Sequence, residues 1–143
     1  MPSEGLRNRI KRVNMAIERL KILSRLNKDD FLSDFRNIDS AERNFHIAIE
    51  GLLDIGNFII SHFELEAPSR YRDIGMILVR HKLLSADLGE SLSNMAGFRN
   101  ILIHGYTVIS EDKLYEFLKT RITELLQVFK ALLKIIEKHG IDP

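Results

Sequence analysis

Apolar side chains recur every three or four positions over most of this chain, which is the spacing that places them on one face of an α-helix. The pattern predicts a first helix over about residues 4–27 and a second over about 40–63, capped by Asp39 or Ser40. A shorter helix is predicted over about 70–80. Helices therefore account for most of the first half of the chain.

The second half of the chain continues the same helical spacing. Ser85 is placed to cap a fourth helix, and Ser110 to cap a long last helix that Gly140 ends. No stretch alternates as a β-strand does. The fourth helix is expected to face inward with Leu88, Leu92, Met95, Ala96 and Ile103. The sequence thus predicts an all-α, up-and-down bundle of four to five helices in a single domain over residues 1–143.

The apolar stripes contain more residues than the core of a bundle of this size needs. The apolar positions of the last helix spread over more than one side. With 143 residues, 45% of them hydrophobic, the chain is long enough for one core. Two explanations of the surplus stay open. Either a second copy of the chain buries it, or the bundle uses all of these residues internally.

The composition excludes several classes of chemistry. The chain has no cysteine, which removes disulfides, thiolate metal sites and cysteine nucleophiles. The five histidines lie far apart without the spacing of metal ligands, so we expect neither a metal nor another cofactor. No apolar run approaches the roughly 20 residues that span a bilayer, and residues 1–5 lead into charged residues rather than a signal-peptide core. A cytoplasmic protein without a membrane partner is expected.

The net charge of +1 hides an uneven distribution of charge. Residues 1–28 carry eight Lys or Arg against two acids, whereas residues 29–67 carry nine acids against two arginines. Residues 68–143 are nearly balanced. One interpretation is that neighbouring helices attract each other through complementary faces. The other is a basic surface that binds the phosphates of RNA.

Eight residues near the end of the fourth predicted helix, Arg99 to Tyr106, contain a guanidinium, an imidazole and a phenol. An arginine can hold a phosphate and a histidine can transfer a proton, which together suffice to cleave RNA without a metal. His104 also lies where a helix carboxyl end favours a protonated imidazole. The segment is therefore the principal candidate for chemistry in this chain.

The helical geometry of this segment leaves two arrangements open. At 100° per residue Asn100 and His104 are neighbours at i, i+4, whereas Arg99 lies about 140° around the helix from His104. Either Arg99 reaches around the helix, or the helix loosens near His104, which Gly105 favours because glycine adopts the left-handed conformation.

Each of these residues also has an ordinary structural explanation. A histidine near a helix end can serve as a cap, an arginine on a bundle as an ion-pair partner, and a tyrosine after a glycine as a core residue. The other four histidines are interpreted as structural or solvated: His46, His62, His81 and His139.

Arg99, four intervening residues, His104, one residue and Tyr106 match the Arg-x4-His-x-Tyr signature of the HEPN-domain toxins of the HepT-like family, and Asn100 after the arginine also fits. The sequence resembles that family over nearly its whole length. The flanking segments that fit are Ala41-Glu42-Arg43, Ile49-Glu50, Asp54-Ile55-Gly56, Pro68-Ser69-Arg70-Tyr71 and Phe98-Arg99-Asn100.

The resemblance implies an all-α homodimer in which the motif helices of two subunits form one composite, metal-independent ribonuclease site. Arg99, Asn100 and His104 would be its catalytic residues. It further implies a type VII toxin whose partner is a minimal nucleotidyltransferase antitoxin, with Tyr106 as the hydroxyl that receives AMP. In that scheme His104 acts as general base or acid, Arg99 stabilises the phosphate, and Asn100 orients the imidazole or binds the phosphate.

Two other functions stay open at this point. One is a non-catalytic subunit that binds phosphate or nucleotide and accompanies a nucleotidyltransferase, using Arg99 without turnover. The other is a plain scaffold bundle. The sequence has neither aromatic stacking strips nor a known RNA-reading motif, so it does not predict whether the substrate is messenger or transfer RNA.

Overall fold

The computed structural model describes residues 2–104 and 110–141, with the side chains of residues 5–103 and 110–141. These residues form seven helices and no strand. The helices are α1 Pro2–Ser24, α2 Lys28–Leu32, α3 Phe35–His62, α4 Asp73–Arg80, α5 Ala86–His104, α6 Glu111–Thr120 and α7 Ile122–Lys138. The all-α prediction is confirmed. The number of helices exceeds four to five because α2 was not predicted and the last predicted helix is divided in two.

The long helices α1 and α3 pack closely along their lengths. Val13, Ile17 and Leu20 of α1 are fully buried, as the apolar spacing predicted. Gly51 of α3 lies directly against the Val13 side chain, and a Cβ at position 51 would collide with it. The buried apolar residues of the described helices form one continuous cluster.

The start of α3 differs from the prediction. Asp34, not Asp39 or Ser40, caps this helix: its side chain accepts a hydrogen bond from the backbone N–H of Arg36 at 2.9 Å. Asp34 is extended and has the side chain that an N-cap needs, so α3 begins five residues earlier than predicted. Ile38, on the added turn, is buried and extends the apolar face.

The last predicted helix is two helices that meet at Arg121. The cap at Ser110 is confirmed, because its hydroxyl accepts a hydrogen bond from the Lys113 N–H at 3.1 Å. The end at Gly140 is also confirmed, with a left-handed φ of 63°. Between them, the hydroxyl of Tyr115 in α6 donates a hydrogen bond to the carbonyl of Leu26, two residues beyond α1, at 2.8 Å. No proline or glycine marks the division, so the sequence pattern did not predict it.

Helix α5, which carries the motif, packs on α4 and α3. Its cap at Ser85 is confirmed by a 3.3 Å hydrogen bond from the Leu88 N–H. The carbonyl of Gly89 lies so close to Gly75 of α4 that a Cβ at position 75 would overlap that carbonyl. Leu92, Met95 and Ala96 are buried as predicted, but Ile103 is 41% exposed, so its inward placement was wrong. No helix in the described ranges has the length and hydropathy that crossing a bilayer requires.

Candidate functional site

Arg99 is held in a defined position on α5 by contacts from three parts of the fold. Its guanidinium carbon lies 4.4 Å from the centre of the Tyr71 ring. Its Nε is 3.5 Å from a carboxylate oxygen of Glu50 on α3, and its Nη1 donates to Asn100 at 3.3 Å. Stacking on an aromatic face and pairing with a carboxylate both restrict the orientation of a guanidinium.

The Arg99 side chain is 15% exposed, so the group is largely but not completely enclosed. Its Nε is buried and makes no hydrogen bond within the described ranges, even though the Glu50 carboxylate is near. A guanidinium has five N–H donors, and the hydrogen bond to Asn100 uses one of them. Among the residues that the structure describes, the remaining Nη donors of Arg99 make no hydrogen bond.

Glu50 connects Arg99 to a histidine of the same helix. Its carboxylate lies 2.6 Å from Nε2 of His46, one helical turn away, and 3.5 Å from Nε of Arg99. Glu50 thus bridges two nitrogen groups on α3 and α5. The interpretation of His46 as merely structural or solvated did not include this contact.

Asp54 is a second carboxylate on the same side of α3. It is paired with Arg9 of α1 at 3.0 Å, and its side chain is 26% exposed. Partial burial raises the pKa of Asp54; the positive charge of Arg9 opposes this shift, whereas the nearby Glu50 adds to it and Arg99 opposes it. The residues around Arg99 therefore carry closely spaced charges of both signs.

Phe98, the residue before Arg99, anchors this part of α5 in the bundle. Its ring packs edge-on against Phe45 of α3 at 5.7 Å and against Phe117 of α6 at 4.8 Å between ring centres. Edge-to-face contacts of this kind stabilise buried aromatic clusters. They fix α5 immediately before the motif, so that Arg99 faces Tyr71 and Glu50.

The structure places the predicted site residues as follows. Arg99 and Asn100 are adjacent on α5 and hydrogen-bonded to each other. His104 belongs to α5, which is helical as far as that residue, so the helix does not loosen before His104. The side chain of His104, and Gly105 and Tyr106 entirely, lie outside the described residues.

Three side chains around Arg99 were not predicted as site residues: His46, Glu50 and Tyr71. Two signals were present in the chain. Glu50 and Tyr71 belong to the flanking segments that resemble the HepT-like family, and His46 precedes Glu50 by one helical turn. Neither signal says which residue of α5 these side chains contact, because that depends on how the helices pack.

The stretch of sequence that forms this site matches a known protein family. The family model described as ribonuclease HepT-like matches residues 13–132, which include α3, the Arg99 contacts and the motif. The chain belongs to this family. This match confirms the resemblance indicated by the motif and its flanking segments. The family is a family of ribonucleases.

Among curated relatives, the chain is 31% identical over 96 residues to the YutE protein of Bacillus subtilis, covering 67% of each chain. It is 33% identical over 82 residues to the mRNA nuclease HepT of Shewanella oneidensis, covering 57% of this chain and 62% of that one. The tRNA nuclease HepT of Aphanizomenon flos-aquae is 23% identical over 112 residues, covering 77% and 75%. The named substrates of these relatives thus differ.

Solved structures support the same fold. A Shewanella oneidensis HEPN toxin, tri-AMPylated and in complex with an MNT antitoxin, matches with a TM-score of 0.81 and 25% identity over 90% of this chain and 96% of that one. The solved structure of Bacillus subtilis YutE matches with a TM-score of 0.75 and 27% identity, covering 96% and 94%. The HepT-like chain therefore shares its helical architecture with the HEPN toxins.

Proposed function

We propose that this chain is the toxin of a type VII HEPN/nucleotidyltransferase pair and cleaves RNA by metal-independent transesterification. Its family and its nuclease relatives support a ribonuclease of the toxin–antitoxin type. The observation that carries the mechanism is the position of Arg99, which is charged, confined by Tyr71 and Glu50, and still provided with donors. A cytoplasmic location and a single domain over residues 1–143 belong to the same proposal.

Arg99 binds the scissile phosphate in this mechanism. Its fork of N–H donors matches two phosphate oxygens and stabilises the negative charge that gathers on them during the reaction. The contacts to Tyr71 and Glu50 orient the guanidinium before the substrate arrives, which lowers the cost of ordering it. Asn100, bonded to Arg99 and exposed on α5, orients the imidazole or binds the phosphate.

His104 transfers the protons. As general base it takes the proton of the ribose 2'-hydroxyl while the 2'-oxygen forms a bond to phosphorus. The bond from phosphorus to the 5'-oxygen breaks, and a second imidazole, His104 of the other subunit, protonates that leaving oxygen. The products are a 2',3'-cyclic phosphate and a 5'-hydroxyl, and no water or metal enters the balance.

A second copy of the chain completes the site. Ile101 and Ile103, on the last turns of α5, are 40% and 41% exposed, although both are large apolar residues. Ile101, but not Ile103, lines a depression of about 390 Å³ whose surface is mostly apolar and includes Phe98 and Phe117. Apolar surface next to the motif suits a homodimer in which two α5 helices meet and bring two copies of His104 to one cleft.

The regulatory partner in this proposal is a minimal nucleotidyltransferase antitoxin, which transfers AMP to the hydroxyl of Tyr106. The support is the related HEPN toxin, which is AMPylated and bound to an MNT antitoxin. Tyr106 is two residues beyond His104, so AMP attached there adds a bulky anion next to the proposed catalytic groups.

A cleavage assay on the purified chain tests the proposed function. Labelled RNA incubated with the protein in EDTA is expected to be cut. A chain that binds RNA or nucleotide but leaves the RNA intact would instead be the non-catalytic partner subunit of a nucleotidyltransferase.

Glu50 is a positioning residue in this mechanism, because it acts on the reaction through Arg99. Replacing it by glutamine keeps the shape but removes the charge that pairs with Arg99 and His46. We expect Glu50→Gln to lower kcat for RNA cleavage about 10- to 100-fold, with a smaller change in KM, because the guanidinium loses its fixed orientation.

The matched control is Glu90→Gln, which makes the same change at an exposed position of α5. Kinetics and thermal unfolding are measured for both variants. An unchanged kcat for Glu50→Gln, or an equal loss in the control, would show that Glu50 does not position Arg99.

A further inference from the structure

A second cleft opens between α1 and α3 on the side of the fold where Glu50 lies. It has a volume of about 260 Å³. Its lining is mostly charged or polar, and Ile47 and Gly51 are its apolar members. The charged and polar residues that line it are Arg9, Arg12, Arg43, His46, Glu50 and Asp54.

The close packing at Gly51 creates this cleft. Because Gly51 has no side chain, α1 approaches α3 closely at Val13. Arg9 and Arg12 of α1 then come next to Arg43 of α3. Three arginines therefore line one small space, although they come from segments more than thirty residues apart in sequence. A cluster of like charges is unfavourable unless counter-charges lie nearby.

The two carboxylates of the cleft already have partners. Asp54 pairs with Arg9 at 3.0 Å, and Glu50 lies near both His46 and Arg99. Arg12 and Arg43, in contrast, have no carboxylate within 4 Å among the residues that the structure describes. Both are exposed. The cleft thus presents two guanidinium groups whose charge is available to an outside anion.

This cleft is continuous with the proposed reaction site through one carboxylate. Glu50 forms part of the cleft wall and is also 3.5 Å from Nε of Arg99. The cleft and Arg99 therefore share Glu50 as a neighbour, which places Arg12 and Arg43 on the same side of the fold as the proposed scissile phosphate. Arginine suits contacts with phosphates because its planar fork can donate two hydrogen bonds to one phosphate.

We propose that the cleft between α1 and α3 binds backbone phosphates of the RNA strand next to the one that is cut, through Arg12 and Arg43. This inference rests on the proposed function and names the surface that holds the substrate. The contacts are to phosphates, so they contribute affinity for single-stranded RNA in general and carry no base specificity. They also assign a role to part of the positive charge concentrated in residues 1–28.

The test measures RNA binding in the His104→Ala background, so that its outcome does not depend on cleavage. A fluorescent single-stranded RNA is titrated with this protein and with the added pair Arg12→Gln and Arg43→Gln, at several salt concentrations. We expect the pair to weaken binding about tenfold or more at low salt. The slope of log K against log salt should fall by about 1.4, since each phosphate contact on a single strand contributes about 0.7.

The matched control is the pair Lys130→Gln and Lys134→Gln, which removes the same charge from exposed positions of α7 outside the cleft. It should leave both affinity and slope close to those of the parent. Equal weakening by the two pairs, no effect of the cleft pair, or no RNA binding by the parent would each overturn the proposal. The proposal would also be overturned if the cleft pair no longer bound a purified nucleotidyltransferase partner but kept the parent's affinity for RNA.

The cleavage assay separates a failure of this inference from a failure of the proposed function. If the wild-type chain cuts no RNA but the cleft pair still weakens binding as expected, the nuclease proposal fails and the phosphate cleft stands. If the chain cuts RNA and the cleft pair binds RNA normally, the nuclease proposal stands and the phosphate cleft fails.

Discussion

The His104→Ala variant is expected to cleave RNA about 10²- to 10⁴-fold more slowly than the wild type and to lose toxicity in cells, because a positioned proton-transfer group typically contributes that much. The bundle should remain folded. The core lies on the buried faces of the helices, and its residues, such as Leu92, Met95 and Ala96 of α5, are retained in the variant.

The measurement is a rate of RNA cleavage at equal protein concentration, with circular dichroism as a check on folding. His62→Ala is the matched control, since it removes an exposed imidazole from the end of α3. Its rate should equal that of the wild type. Cleavage and growth arrest by His104→Ala at the wild-type level would refute the assignment of His104.

Attachment of AMP to Tyr106 is expected to silence cleavage. In the proposed mechanism the added phosphate competes with the RNA backbone for the guanidinium of Arg99, because both are anions. The chain co-expressed with its nucleotidyltransferase should therefore carry AMP by intact-mass analysis and should cut RNA at a small fraction of the rate of the unmodified chain.

Tyr106→Phe lacks the acceptor hydroxyl, so it should stay unmodified in the same co-expression. The matched control is Tyr115→Phe, which removes the hydroxyl that bonds to Leu26 and should still be modified. A co-expressed wild-type chain without added AMP, or AMP found equally on Tyr106→Phe, would contradict the role of Tyr106.

Local signals in the sequence predicted much of the fold. Ser85, Ser110 and Gly140 end or begin helices where expected, because capping depends on the residue itself and its immediate neighbours. The start of α3 and the division at Arg121 were missed for different reasons. Asp34 competed with two equally suitable caps, and the break at Arg121 has no local marker and accompanies the packing of α6 on α1.

The candidate site was predicted only along one helix. The spacing of Arg99, Asn100 and His104 is visible in the motif, but Glu50 and Tyr71 are 49 and 28 positions away in sequence from Arg99. Their contacts with the guanidinium exist because α3 and the segment before α4 pack against α5. The exposure of Ile103 was missed for a related reason: helical spacing assigns a residue to a face but does not say whether another helix covers that face.

In the proposed mechanism, Arg99 and His104 cleave RNA by attack of its own 2'-hydroxyl. Mass spectrometry of the fragments that the purified wild-type chain makes from a short RNA in EDTA tests this step. We expect fragments that end in a 2',3'-cyclic phosphate and fragments that begin with a 5'-hydroxyl. Intact RNA, or fragments with a 5'-phosphate and a 3'-hydroxyl, would contradict it.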